Sequence, residues 1–129
     1  MPNGIDFDSG SGLGIAVGAS GTASRSLDNG DTWNPISIPT SIQLNDVAVA
    51  NSSHIIVVGA GGSIFESDDG GDNWTQVTSG TTEDLKRVDM YNNHGLVVGN
   101  NGTVLETDDW GDSWMDNTTH SFGATQPIT

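Results

Sequence analysis

The chain has no cysteine, which removes disulfides, thiolate metal sites and thiol catalysis. Lysine occurs once, at Lys86, and arginine twice, at Arg25 and Arg87, against 17 acidic residues, for a net charge of -14. That excess repels phosphate backbones and anionic lipid surfaces and excludes nucleic acid as a partner. Long apolar runs are also missing. The longest, Ile55 to Val58, falls far short of the roughly 20 residues a membrane helix needs, so no membrane insertion is expected. The opening Pro2-Asn3-Gly4-Ile5-Asp6 is polar and lacks the basic start and apolar core of a secretory signal. Leu, Ile, Val and Phe supply only 28 of 129 residues, close to the level at which highly charged chains fail to fold. Order must come from pattern. With 18 glycines, the pattern expected is one of short, Gly-punctuated strands in a single domain rather than amphipathic helices.

The pattern is a repeat. Gly18, Gly59 and Gly99 are spaced by 41 and 40 residues, as are Gly21, Gly62 and Gly102, and Trp33, Trp74 and Trp114. The segments 14–18, 55–59 and 95–99 also match, each an apolar run ending in Gly. A period of this length marks an array of supersecondary units. Each unit reads as four antiparallel strands: a short apolar stretch (5–7, 47–49, 88–90), the run ending in Gly, a third strand (22–26, 63–67, 103–107) and a fourth opening at the Trp. Pro35 and Pro39 after the first Trp suit an outermost strand, whose outer N–H groups have no ladder partner.

Between strands three and four stands a motif in three copies: Ser26-x-Asp28-x-Gly30-x-Thr32-Trp33, Ser67-x-Asp69-x-Gly71-x-Asn73-Trp74 and Thr107-x-Asp109-x-Gly111-x-Ser113-Trp114. It resembles the Asp-box, or bacterial neuraminidase repeat, and the V-G-x-x-G strand pair before it is similar to photosystem II assembly-factor propellers. The resemblance covers residues 5–116 and implies an all-β fold of three four-stranded β-propeller blades. From the residues themselves, Gly30, Gly71 and Gly111 sit where a hairpin needs positive φ, and the Asp two residues earlier can accept turn N–H groups. The Trp is expected to bury its ring between blades and seek a partner for its N–H. These twelve residues are read as structural: Ser26, Asp28, Gly30, Trp33, Ser67, Asp69, Gly71, Trp74, Thr107, Asp109, Gly111 and Trp114.

Propellers usually close with about four to eight blades. Three blades, residues 1–116, form an open wedge with two unpaired faces, so closure is expected through a homo-oligomer, a six-bladed dimer first, or through other subunits of a protein assembly. The tail 117–129 falls outside the period and is expected to be either a frayed end or an arm added to a neighbour's sheet edge.

Catalysis finds little support. The likeness to sialidases implies three carboxylate-clamping arginines and a Tyr–Glu nucleophile pair, whereas this chain has Arg25, Arg87 and one tyrosine, Tyr91. No G-x-S-x-G occurs, and His54 and His94, a blade apart, are poorly placed to share a zinc ion. Asp28–Asp31 and Asp69–Asp72 look like the start of a Ca²⁺ loop but lack its bidentate Glu. No catalytic residue, metal or cofactor is expected. Trp110 is different: its equivalents are Asn29 and Gly70, both turn positions, so its ring is a candidate partner contact. The near-absence of lysine looks halophilic, because at molar salt the screening length shrinks to about 3 Å and self-repulsion fades. The function expected is a non-catalytic structural or adhesive propeller module, at a cell surface or in a virion, with a glycan-binding lectin and a cytoplasmic assembly factor as alternatives.

Overall fold

The computed structural model describes residues 2–8 and 10–116. The expected arm at 117–129 lies outside them. Three four-stranded antiparallel sheets follow one another, each a meander in chain order. The first holds β1 (Pro2–Phe7), β2 (Gly14–Gly18), β3 (Thr22–Ser26) and β4 (Asn34–Ser37). The second holds β5 (Leu44–Val49), β6 (Ile55–Gly59), β7 (Ser63–Ser67) and β8 (Thr75–Val77). The third holds β9 (Leu85–Tyr91), β10 (His94–Gly99), β11 (Val104–Thr107) and β12 (Met115–Asp116). No sheet closes on itself. The first strands β1, β5 and β9 lie against one another across the blade boundaries, the narrow side of a fan.

Period-2 alternation sorts each blade's side chains onto two seams. Ile55 and Val57 of β6 face the first blade, where they meet Ile15, Val17 and Ala23. Ile56 and Val58 face the third, against Val88, Val97 and Leu105. Because β6 is covered on both faces, all of its residues are buried, which is why it reads as a continuous apolar run rather than an alternating one.

Two details depart from the expected strand plan. The inner strands run longer than their apolar cores, beginning at Pro2, Leu44 and Leu85 and each passing through an irregular register step near its start. The tryptophans precede the fourth strands instead of opening them. The V-G-x-x-G element forms a tight turn at Ala19–Gly21, Ala60–Gly62 and Asn100–Gly102, with its middle residue left-handed each time. Among the described residues no helix is long and apolar enough to cross a membrane.

Candidate functional site

The three Asp-box turns are one hydrogen-bonded design repeated. The hydroxyl residue that opens the box is buried: Ser26, Ser67 and Thr107 are all 2% exposed or less. Its oxygen accepts the box glycine N–H, at 2.8 Å from Gly30, 2.8 Å from Gly71 and 3.0 Å from Gly111. The same hydroxyl donates to Oδ1 of Asp28, Asp69 or Asp109 at 2.7–2.8 Å. That carboxylate also accepts the backbone N–H and side-chain donor of Thr32, Asn73 or Ser113. The tryptophan indole N–H closes the loop by donating to the glycine carbonyl at 3.0–3.1 Å. Both the box glycine and the residue before it have positive φ, including Asn29 at 63° and Trp110 at 67°. The hub role of the first hydroxyl is not visible in the spacing alone. What marks it is a small hydroxyl residue at a position where the strand's alternation points into the core.

These contacts set the electrostatics. Hydrogen bonds from Thr32 and then Ser26 lower the Asp28 carboxyl to about 2, and bonds from Asn73 and then Ser67 do the same at Asp69. Asp109 is lowered chiefly by Ser113 and Thr107. All three carboxylates are thus committed to their own turns. Among the described residues no three His, Asp or Glu side chains converge as metal ligands.

The tryptophans divide by their surroundings. Trp74 packs against the first seam and Trp114 against the second. Trp33 has no preceding blade among the described residues and meets the edge of Phe7 instead, with ring centroids 5.8 Å apart. The Trp110 ring stacks on His54 of the second blade at 4.5 Å, so this turn residue spans a seam.

One pair of equivalent positions differs between the seams in a way that matters. Arg25 on β3 reaches across to the second box, where it donates to the Gly70 carbonyl at 3.1 Å and pairs with Asp72 at 2.8 Å. One repeat on, the same two positions hold Glu66 and Asp112. Partial burial raises Glu66 to about 7, helped by its hydrogen bond with Asp112 and by the negative charges of Asp112, Asp68 and Asp109. The second seam thus joins its blades through two acids where the first has an ion pair.

The comparisons agree with this architecture. A family model described as photosynthesis system II assembly factor YCF48 matches residues 25–121. No curated protein sequence matches the chain. Among solved structures, YCF48 bound to a D1 peptide is 22% identical with a TM-score of 0.76 over 89% of this chain. YCF48 from Cyanidioschyzon merolae is 24% identical with a TM-score of 0.75, also over 89%. An ancestral GH74 enzyme is 17% identical with a TM-score of 0.75. The chain spans 40%, 36% and 18% of these three chains, respectively.

Proposed function

We propose, from the premise that this chain belongs to the photosynthesis system II assembly factor YCF48 family, that it is a non-catalytic propeller module that holds a peptide segment of another protein during assembly of a larger complex. The observation that carries this reading is the family match over residues 25–121, joined to a fold shared with a YCF48 that is itself bound to a D1 peptide. The chemistry is consistent with binding. The box carboxylates are occupied by their turns, and Glu66, whose pKa is raised, is tied to a neighbouring acid. A module of this kind supplies shape and strand edges instead of reacting groups. Trp110, with one face on His54, offers its other face as an aromatic contact. The assembly-factor reading is preferred to an adhesive, cell-surface or virion role because the family match supports it.

Calorimetric titration of a synthetic D1 peptide into the full chain tests this directly. Saturable binding with a micromolar Kd is expected, weakened about tenfold or more by Trp110→Ala, since aromatic anchors dominate such interfaces. No heat of binding at millimolar peptide, together with a specific signal on a glycan array at high salt, would replace the peptide reading by the lectin one.

A further inference from the structure

The two seams between the described blades share one backbone plan. Asp6 Oδ2 accepts the Val49 N–H at 2.7 Å at the first, and Asp46 Oδ2 accepts the Val88 N–H at 2.9 Å at the second. The Asn3 and Asn45 amides likewise donate to the Leu44 and Leu85 carbonyls, at 2.9 and 2.8 Å. The box turns are also held alike. Gly70 and Trp110 donate their N–H groups to the Ser53 and Asn93 carbonyls at 3.0 and 3.1 Å, and their φ angles are 77° and 67°. Equivalent residues therefore stand in equivalent places, and what differs between the seams is their side chains.

At the box turns that difference involves several positions together. The second seam is closed by a ring, because Trp110 of the third blade stacks on His54 of the second. One repeat earlier Gly70 holds the place of Trp110, and Leu13 that of His54. Leu27 stands where Asp68 does, and Arg25 where Glu66 does. An open cleft of about 300 Å³ results, lined by Leu13, Arg25 and Leu27 of the first blade and by Ser52, Gly70 and Asp72 of the second. Apart from its chain neighbours, among the described residues a Cβ on Gly70 would meet only the Ser52 carbonyl oxygen, at 3.2 Å. The cleft thus spans the interval that the Trp110 indole fills at the second seam.

Its walls suit an aromatic guest. Leu27 is 67% exposed, an apolar side chain at a column where both other repeats carry an acid, Asp68 and Asp108. The Arg25 guanidinium is already held by its bonds to the Gly70 carbonyl and Asp72, so it meets a ring face without first having to be ordered. The Ser52 carbonyl is an acceptor for an indole N–H or a phenol O–H. Asp69 and Asp72 at the cleft, and the net charge of -14, favour basic residues on either side of the ring.

We propose that this cleft is the anchor pocket for an aromatic side chain, Trp or Tyr, flanked by basic residues in a bound peptide. The guest ring takes at the first seam the place that Trp110 takes at the second. That the ring arrives on a peptide rests on the assembly-factor reading; the residue class, and the seam that receives it, go beyond that reading.

Methyl NMR of the full chain titrated with acetyl-Lys-Trp-Lys-amide tests it, with acetyl-Lys-Ala-Lys-amide as the control. Saturable ring-current shifts are expected at the Leu13 and Leu27 methyls, with a Kd of about 1 mM or lower for so short a probe. The alanine control should bind about tenfold more weakly or not at all. Gly70→Trp supplies the ring from within, on a backbone that Trp110 already adopts, and is expected to abolish the shifts. Leu27→Ala removes an exposed wall and is expected to weaken the probe about fivefold, with near-UV circular dichroism reporting an unchanged fold. No saturation by about 10 mM probe, equal binding of the control, undiminished binding by either variant, or the same methyl shifts raised by methyl glucoside would each overturn the pocket. The D1 peptide titrated into the same samples keeps the two readings apart. D1 binding without capture of the tripeptide overturns the pocket alone; capture of the tripeptide by a chain that ignores D1 supports the pocket and overturns the assembly-factor reading.

Discussion

Gly62→Ala is expected to be the most damaging single methyl in the protein, whereas Gly61→Asn, one residue away, is expected to be close to neutral. Both glycines lie in the left-handed region, at φ 79° and 69°. They differ in what surrounds them. A Cβ on Gly62 would lie 1.9 Å from the Thr81 carbonyl oxygen, while one on Gly61 meets nothing within 4 Å. The first blade has the same clasp, with a Cβ on Gly21 falling 2.1 Å from the Thr40 carbonyl. Positive φ alone costs a residue with a side chain about 1 kcal/mol, and Asn and Ser tolerate it well enough that Asn101 and Ser20 occupy the Gly61 position in the other blades. Driving a methyl into a backbone carbonyl adds overpacking, so Gly62→Ala should cost about 3 kcal/mol or more and lower Tm by about 12 °C. Gly61→Asn should shift Tm by less than about 2 °C. Equal losses for the two variants would show that conformation, and not the loop clasped over the turn, governs this element.

The second large effect is a stability optimum on the acidic side of neutrality. Glu66 binds its proton more tightly folded than unfolded, its carboxyl raised from 4.5 to about 7 by burial and by the acids Asp112, Asp68 and Asp109. Between those two values the folded state holds more protons than the unfolded chain, so stability is full below about pH 4.5 and falls as pH rises to 7. The box aspartates act oppositely. Asp28 and Asp69 are lowered from 3.8 to about 2, and Asp109 is lowered as well. Their contribution is present above about pH 4 and is lost as pH falls toward 2. Thermal unfolding followed across pH should therefore peak near pH 4–5. Glu66→Gln should flatten the limb between pH 5 and 7 and leave the acid limb in place. Glu66→Arg should do more, because it restores at the second seam the pair that Arg25 and Asp72 form at the first. With solvent screening discounted, a gain of about 1 kcal/mol at pH 7 is expected, worth a few degrees in Tm. A wild-type optimum at pH 7–8, or a Glu66→Gln profile identical to wild type, would contradict this account of the seam.

Much of the architecture is legible in the residues. The common spacing of Trp33, Trp74 and Trp114 sets the repeat, and the glycine-ended runs place the second strand of each blade. The four-stranded plan follows from turn chemistry between them. The inner strands read short because their first halves are polar, with Asn3 in the first and Asn45 and Asp46 in the second, while Asp6 interrupts the apolar stretch of the first. In the folded chain those same side chains reach across a seam to the edge of the next blade, a tertiary role that no period within one strand records. The Glu66–Asp112 pair could have been found by aligning the repeats, since Arg25 and Glu66 share a column and so do Asp72 and Asp112. Trp110 illustrates the limit of local reasoning. Its place in a turn says that the ring is outside its own sheet, but its stacking partner His54 lies in a turn of the blade before it, more than a full repeat away in the chain.

The claim on which the account rests is that blades stacked side by side seal one another's inner edges with carboxylates. Amide hydrogen exchange at Val49 and Val88 measures this most directly. Each N–H lies on an open strand edge and bonds only across a seam, to Asp6 and Asp46 respectively. With the seams formed, both amides should exchange about a thousandfold or more slower than in an unfolded chain, in step with the buried β6. Exchange at both sites as fast as at the exposed turn residues would mean that the blades are not joined as described.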